Sequence, residues 1–245
     1  MSDARPQLAR LANGKAVAYD TLPVLAAEDF RDAILGGVAA HQRVSALFGT
    51  ASPVPGAVRL HVVLADDERN RLFAAATDVT GSEFASLTPA CPQVHLFERE
   101  IAEQFGLRPV GHPWLKPVRY CRAWTGRDAW NRPADQPILP AVGDFYRVEG
   151  EQVHEVAVGP VHAGVIEPGH FRFQCHGEQV FHLEIALGYQ HRGVEQALIG
   201  GPGARTLHYT ETLAGDATVA HATTYSQVTE ALAGCRTSPR AQALR

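Results

Sequence analysis

Between Gly159 and Phe173 the chain gathers two histidines, a glutamate and an arginine on a backbone studded with Gly159, Pro160, Gly164, Pro168 and Gly169. Glycine and proline impose an irregular, stiff path, and His162, Glu167 and His170 stand on it just ahead of an alternating run. That arrangement can hold proton-transfer groups at a cleft, which makes these three the candidate catalytic residues. A plainer reading stays open beside it, because a histidine on an apolar background also serves as a hydrogen-bonded core residue. A second cluster, Leu187–Glu195 with the sequence LGYQHRGVE, carries His191 and Arg192. An arginine there can bind an anion or raise a neighbouring redox potential. Its plain alternative is a strand-to-helix turn with ordinary surface charges.

Metal chemistry has less support. Cys91, Cys121, Cys175 and Cys235 lie far apart and form no CxxC pair. No zinc ribbon or self-contained iron–sulfur site can be assembled locally from them, and in a reducing compartment they read as buried thiols. The histidines are scattered without ligand spacing, so a stand-alone zinc protein is a distant reading. Eight of the 12 histidines follow residue 150, which sets the second part of the chain apart chemically.

The elements that must position these residues belong to a soluble α+β protein. Of 245 residues, 45% are hydrophobic and 20% charged, and the net charge of -4 excludes a nucleic-acid binder held by bulk electrostatics. The longest stretch without Asp, Glu, Lys or Arg, Val44–Val58, is broken by Gly49, Pro53, Pro55 and Gly56. It falls short of the ~20 apolar residues that span a bilayer. No apolar segment follows the charges of the first residues, so no secretory signal is expected and a cytoplasmic chain is the default.

Ala27–Leu47 begins with Glu28 and Asp29 where a first helical turn would favour them. Arg59–Leu64 and Arg71–Ala75 read as antiparallel strands joined by an acidic turn. Pro92–Gly106 predicts a helix, since Phe97, Ile101 and Phe105 recur at spacing four and Gly106 suits a left-handed cap. On composition alone its glutamates Glu98, Glu100 and Glu103 form a solvated face. The stretch 108–150 is rich in Pro and Arg and holds Trp114, Trp124 and Trp130, an extended segment packed against a partner surface, with a domain boundary near Val142–Gly150. His170–Cys175 and Gln179–Leu187 predict a hairpin around His176-Gly177, with Phe181, Leu183, Ile185 and Leu187 on one face. Thr210–Ala233 reads as one long helix with Leu213, Ala217, Ala220, Thr224, Val228 and Leu232 inward. Ser238-Pro239 opens a further helix.

GPVHAGVIEPGHFRF followed by GYQHRGVE resembles the opening of the large catalytic-core subunit shared by respiratory complex I (its D subunit) and energy-converting nickel–iron hydrogenases. The EPGHFRF wording is closer to the hydrogenase branch, the large subunits of formate hydrogenlyase and hydrogenase-4. Upstream, LFEREIAEQFGLRPVGHP resembles the complex I C-type signature. C-like then D-like segments in one chain match a fused C/D-type architecture. The resemblance implies a C-like docking domain over 1–120, a connector over 121–150, and over 151–245 the hairpin and first helices of an incomplete D-like domain. It also recasts Glu98, Glu100 and Glu103 as a contact between subunits.

In that family, nickel sits between two CxxC pairs, and Ala214 and Ala217 stand where the first would be, so nickel binding is not expected. The second pair would fall beyond Arg245. For a quinone headgroup, Gly215 replaces the family's tyrosine and Ile166 its histidine, while His162 is retained. What carries over is Arg192, with His191, beside an iron–sulfur cluster held by a separate small subunit. The implied partners are that small subunit and membrane-arm subunits, with the chain peripheral on the cytoplasmic face of the cell membrane. Quinone remains a possible acceptor, and NADH, formate or ferredoxin would be handled by other chains. The chain would then belong to a NADH-quinone oxidoreductase-like or hydrogenase-4-like complex and be inactive alone. The competing reading is a metal-free scaffold paralogue that docks the small subunit without catalysis.

Overall fold

The computed structural model describes residues 8–139 and 143–244. Met1–Gln7, read above for a signal, Pro140–Val142 of the expected connector and boundary, and Arg245 lie outside them. The chain divides into two compact units, Met1–Ile138 and Leu139–Arg245.

The first unit is built on β2 (Arg43–Ala51), β3 (Ala57–Asp66) and β4 (Arg71–Thr80), with the short β1 (Ala9–Leu11) completing an antiparallel sheet in the order β1-β4-β3-β2. Val58, Leu60, Val62 and Leu64 alternate onto one face of β3 and are buried. Two helices cover that face, α1 (Ala27–Ala39) with Phe30 and Ile34, and α2 (His95–Phe105) with Ile101 and Phe105. Full burial of an Ile or Phe is worth about 1.5–3 kcal/mol. Gly49 on β2 makes room for the Phe105 ring, since a Cβ there would lie 2.7 Å from it. Phe97 packs partly buried against the same core, so the stripe predicted for α2 is present, and Gly106 ends the helix at φ 65°.

Helix α1 stops well before Leu47. The chain turns through His41, at φ 63°, and Gln42 N–H reaches back to the Gly37 carbonyl. Val44 and Leu47 then enter the core from β2.

The glutamate expectation is overturned for Glu98 and Glu103. Glu98 and Glu103 are 0% and 1% exposed and belong neither to a solvated face nor to a contact between subunits. Glu98 accepts from Ser86 Oγ (2.6 Å), Leu87 N–H (2.6 Å) and Thr88 Oγ1 (2.5 Å). Glu103 accepts from the backbone N–H groups of Val118, Arg119 and Cys121. Glu100 pairs with Arg119. Carboxylates thus bind loop amides that no strand satisfies.

After β6 (Arg108–Val110), parallel to β5 (Glu83–Ala85), the basic, tryptophan-bearing stretch folds back on its own unit. Arg99 donates to the Lys116 and Pro117 carbonyls, Trp124 N–H to Gln104 O, and Thr125 Oγ1 to Phe105 O. Arg127 reaches the Gly81 and Gly56 carbonyls. Arg122 and Arg127 of this stretch strap backbone oxygens, while Arg119 and Arg132 pair with carboxylates.

The second unit holds an antiparallel sheet, β7 (Val153–Val158), β8 (His170–His176) and β9 (Gln179–Ala186), in that order. The hairpin is where the alternation places it. Helices follow: α3 (Val194–Ala197), α4 (Thr206–Glu211), α5 (Thr218–Leu232) and α6 (Pro239–Leu244). The long helix expected over Thr210–Ala233 is two. Thr212 Oγ1 donates to Tyr209 O, Thr218 Oγ1 to Gly215 O, and Arg192 takes the Thr212 carbonyl, so the end of α4 is capped by side chains. No residue of α5 is buried, and the side expected to face a core, with Val228 and Leu232, is exposed.

Candidate functional site

The loop between β7 and β8 is closed by its own histidines. His162 Nε2–H donates to the Gly169 carbonyl at 2.8 Å, and His170 Nδ1–H to the Gly159 carbonyl at 3.2 Å. Gly159 has φ 85°, and a Cβ there would lie 2.6 Å from His162 Nε2. Only glycine fits that corner.

His170 is buried, with Arg172 Nε–H directed at its Nε2 at 3.4 Å. Arg172 also pairs with Glu155 at 3.0 Å and stacks 4.1 Å from the Phe145 ring centroid. Its Nδ1 faces a carbonyl that can only accept and its Nε2 faces an N–H that can only donate, the pattern of the Nδ1–H tautomer. Tyr189 lies beside it, ring centroids 6.2 Å apart.

Glu167 leaves this loop and joins other elements. Its Oε2 accepts from Gln190 Nε2 at 2.8 Å. That bond, the backbone N–H groups of Asp216 and Gly215 and the nearby Arg192 cation outweigh desolvation and hold the carboxyl below its usual range. Arg192 Nη1 donates to Gln190 O (3.2 Å) and Thr212 O (3.0 Å), which fixes its guanidinium at the protein surface. Gly193, at φ 68°, turns the chain from this motif into α3. His191 is exposed on the same turn.

Of the residues singled out from sequence, Glu167 and Arg192 come together, bridged by Gln190, against the turn that joins α4 to α5. His162 and His170 are tied to the backbone of their own loop. Gln190 was missed, although it stands inside GYQHRGVE and its amide can donate to a carboxylate while its backbone carbonyl accepts an arginine. Ala214 and Ala217 flank Gly215 at this turn and offer no donor. Among the described residues no three His, Cys, Asp or Glu side chains converge as a metal site.

Residues 6–133 match the family described as respiratory-chain NADH dehydrogenase, 30 Kd subunit. The chain belongs to that family. Formate hydrogenlyase subunit 5 of Escherichia coli is 26% identical over 216 residues, covering 82% of this chain and 38% of its own length. Hydrogenase-4 component G of the same organism is 30% identical over 180 residues, covering 70% of this chain and 32% of its own. The C/D subunit of the NADH-quinone oxidoreductase of Bacteroides thetaiotaomicron is 25% identical over 169 residues, 60% of this chain and 31% of that protein. These relatives match the suspected fused C/D and hydrogenase families. The chain spans about a third of the length of these curated relatives. The family match lies within the first unit; the 216-residue alignment exceeds it and therefore includes residues outside 6–133. No helix among the described residues is long and apolar enough to cross a membrane.

Proposed function

We propose that this chain contributes to a membrane-associated oxidoreductase complex of the NADH-quinone oxidoreductase or hydrogenase-4 type. The first unit docks to neighbouring subunits on the cytoplasmic face. The second is the beginning of a D-like domain and presents its charged motif to an iron–sulfur small subunit. The observation that carries this reading is the Glu167–Gln190–Arg192 assembly, which fixes a carboxylate and a guanidinium together on the GYQHRGVE motif.

Each residue has a definite part. Arg192, anchored by two backbone carbonyls, places a fixed positive charge beside the partner's cluster and favours its reduced form. Glu167, stabilised as the carboxylate by Gln190 and Arg192, holds a fixed negative charge at this motif. His170, buried, orients the loop through Gly159. The partner's cluster supplies the electrons, and quinone is a possible acceptor. Nickel has no part in this scheme.

The test uses the intact complex purified from gently solubilised membranes. Arg192→Met should lower the midpoint potential of the iron–sulfur cluster in the small subunit, while Arg192→Lys, which keeps the charge, should retain most of it. An unchanged potential in Arg192→Met refutes the tuning role. Loss of turnover with hydrogen or quinone in Glu167→Gln and His170→Ala supports a catalytic site. One observation favours a second reading: Ala214 and Ala217 leave the turn beside Glu167 without the thiolate pair of a nickel site, as a docking scaffold requires. Assembly that persists with no turnover in the unmodified complex would decide for the scaffold.

A further inference from the structure

His112 follows β6 in the turn 111–116, and the proposed electron-transfer role makes no use of it. Both its ring nitrogens are committed. Nε2 lies 3.1 Å from the His95 carbonyl, which can only accept, so Nε2 carries the proton. Nδ1 lies 3.0 Å from the backbone N–H of Trp114, which can only donate, so Nδ1 is bare. The geometry therefore requires the neutral Nε2–H tautomer.

We propose that His112 is an acid-sensitive latch, pinning the turn 111–116 and the half-exposed Trp114 to the first turn of α2. A proton taken from solvent by Nδ1 converts its lone pair into an N–H that faces the Trp114 N–H. That hydrogen bond is then lost, and two donors oppose each other.

The surroundings oppose the extra charge. From α2, His112 is faced by His95, Glu98 and Arg99; within its own turn, Lys116 holds its ammonium 4.1 Å from the Trp114 ring centroid. Glu98 favours the cation, but its oxygens are engaged by Ser86, Leu87 and Thr88. Arg99, anchored on the Lys116 and Pro117 carbonyls, opposes it. Burial, reinforced by Arg99 against the hydrogen bond to His95 and the charge of Glu98, keeps the imidazole below its ordinary titration range. The latch thus stays closed at neutral pH and opens on acidification below the usual histidine value of about 6.5.

Residue-resolved hydrogen exchange on the full chain, corrected for the intrinsic pH dependence of exchange, tests this. Between pH 7 and pH 5 the protection of the Trp114 amide should fall by about tenfold or more, the opening expected when one hydrogen bond is lost. In His112→Asn the side-chain oxygen can take the same i+2 N–H but cannot be protonated, so protection should stay constant. Protection that is independent of pH in the unmodified chain, or that falls equally in His112→Asn, overturns the proposal. Nitrogen-15 spectra of the histidine rings need no variant. The Nε2–H form at pH 7 is the expected result, and the Nδ1–H tautomer or an imidazolium there overturns it.

Discussion

Buried carboxylates govern the chemistry of the first unit at the scale of single residues. Glu98 is held by two hydroxyls and the amides of Leu87 and Thr88. Glu98→Ala strands those donors without water and should destabilise the unit by about 3 kcal/mol, read from the urea midpoint. Glu98→Gln should also destabilise it, because its NH2 group meets donors where the carboxylate met them with a lone pair. Asp78 is a different case: Arg59 grips it with two hydrogen bonds, at 2.8 and 2.7 Å. The Arg59 hydrogen bonds, with Ser52 assisting, outweigh desolvation and hold its carboxyl below the normal range. A depressed folded-state pKa means stability that is complete above the unfolded value of about 3.9 and disappears as pH falls through the lower folded value. Asp78→Asn should therefore flatten the stability–pH curve below about pH 4, measured by urea melts across that range. An unchanged acid limb would remove this ion pair from the account. Sequence could offer the types of Glu98 and Asp78 but not their depth, because charge alone reports no burial and the loop donors that bind Glu98 lie ten or more residues away.

Elements repeat the lesson with a sharper division. Helix α2 and the β8–β9 hairpin were legible because periodicity and turn residues agreed with the tertiary contacts that followed. The break between α4 and α5 was not, since Thr212 and Thr218 satisfy carbonyls that a continuous helix would have used, and side-chain competition of this kind leaves the apolar spacing intact. In the same way Glu167 and His170, neighbours on one loop, are sent to different partners by contacts with Gln190 and Gly159. The loop itself depends on Gly159. A methyl group there needs a left-handed backbone and collides with the His162 ring and the Gly169 carbonyl. Gly159→Ala should cost about 2 kcal/mol or more through strain and lost packing, and should free both histidines. The expected signature is faster amide exchange from 160 to 170 with β2–β4 unaffected. Exchange rates unchanged from wild type in that loop would show that the closed geometry is not what holds it.

At the scale of the whole chain, the two units differ in how they use their apolar residues. The first covers one face of its sheet with α1 and α2 and buries a continuous core. In the second, the polar side of the sheet is the covered one: Tyr146 N–H donates to Glu184, Val148 N–H to Gln174, and Phe145 packs on His170. Cross-strand register puts Val156 and Val158 beside Phe173 and Phe171, and those beside Leu183 and Ile185. Val156, Val158, Leu183 and Ile185, with Leu187 just beyond β9, are all exposed. An apolar patch of this kind is unfavourable in water at roughly 25 cal/mol per Å². The hairpin alternation announced this face, but a pattern of apolar residues cannot say whether anything covers it. An apolar dye such as anilinonaphthalene sulfonate should light up on the isolated chain. Leu183→Lys with Ile185→Lys, both at exposed positions, should abolish most of that emission while leaving the urea midpoint of the first unit in place. Undiminished emission in the double variant would locate the dye elsewhere, and this face would then be too well hydrated to serve as a binding surface.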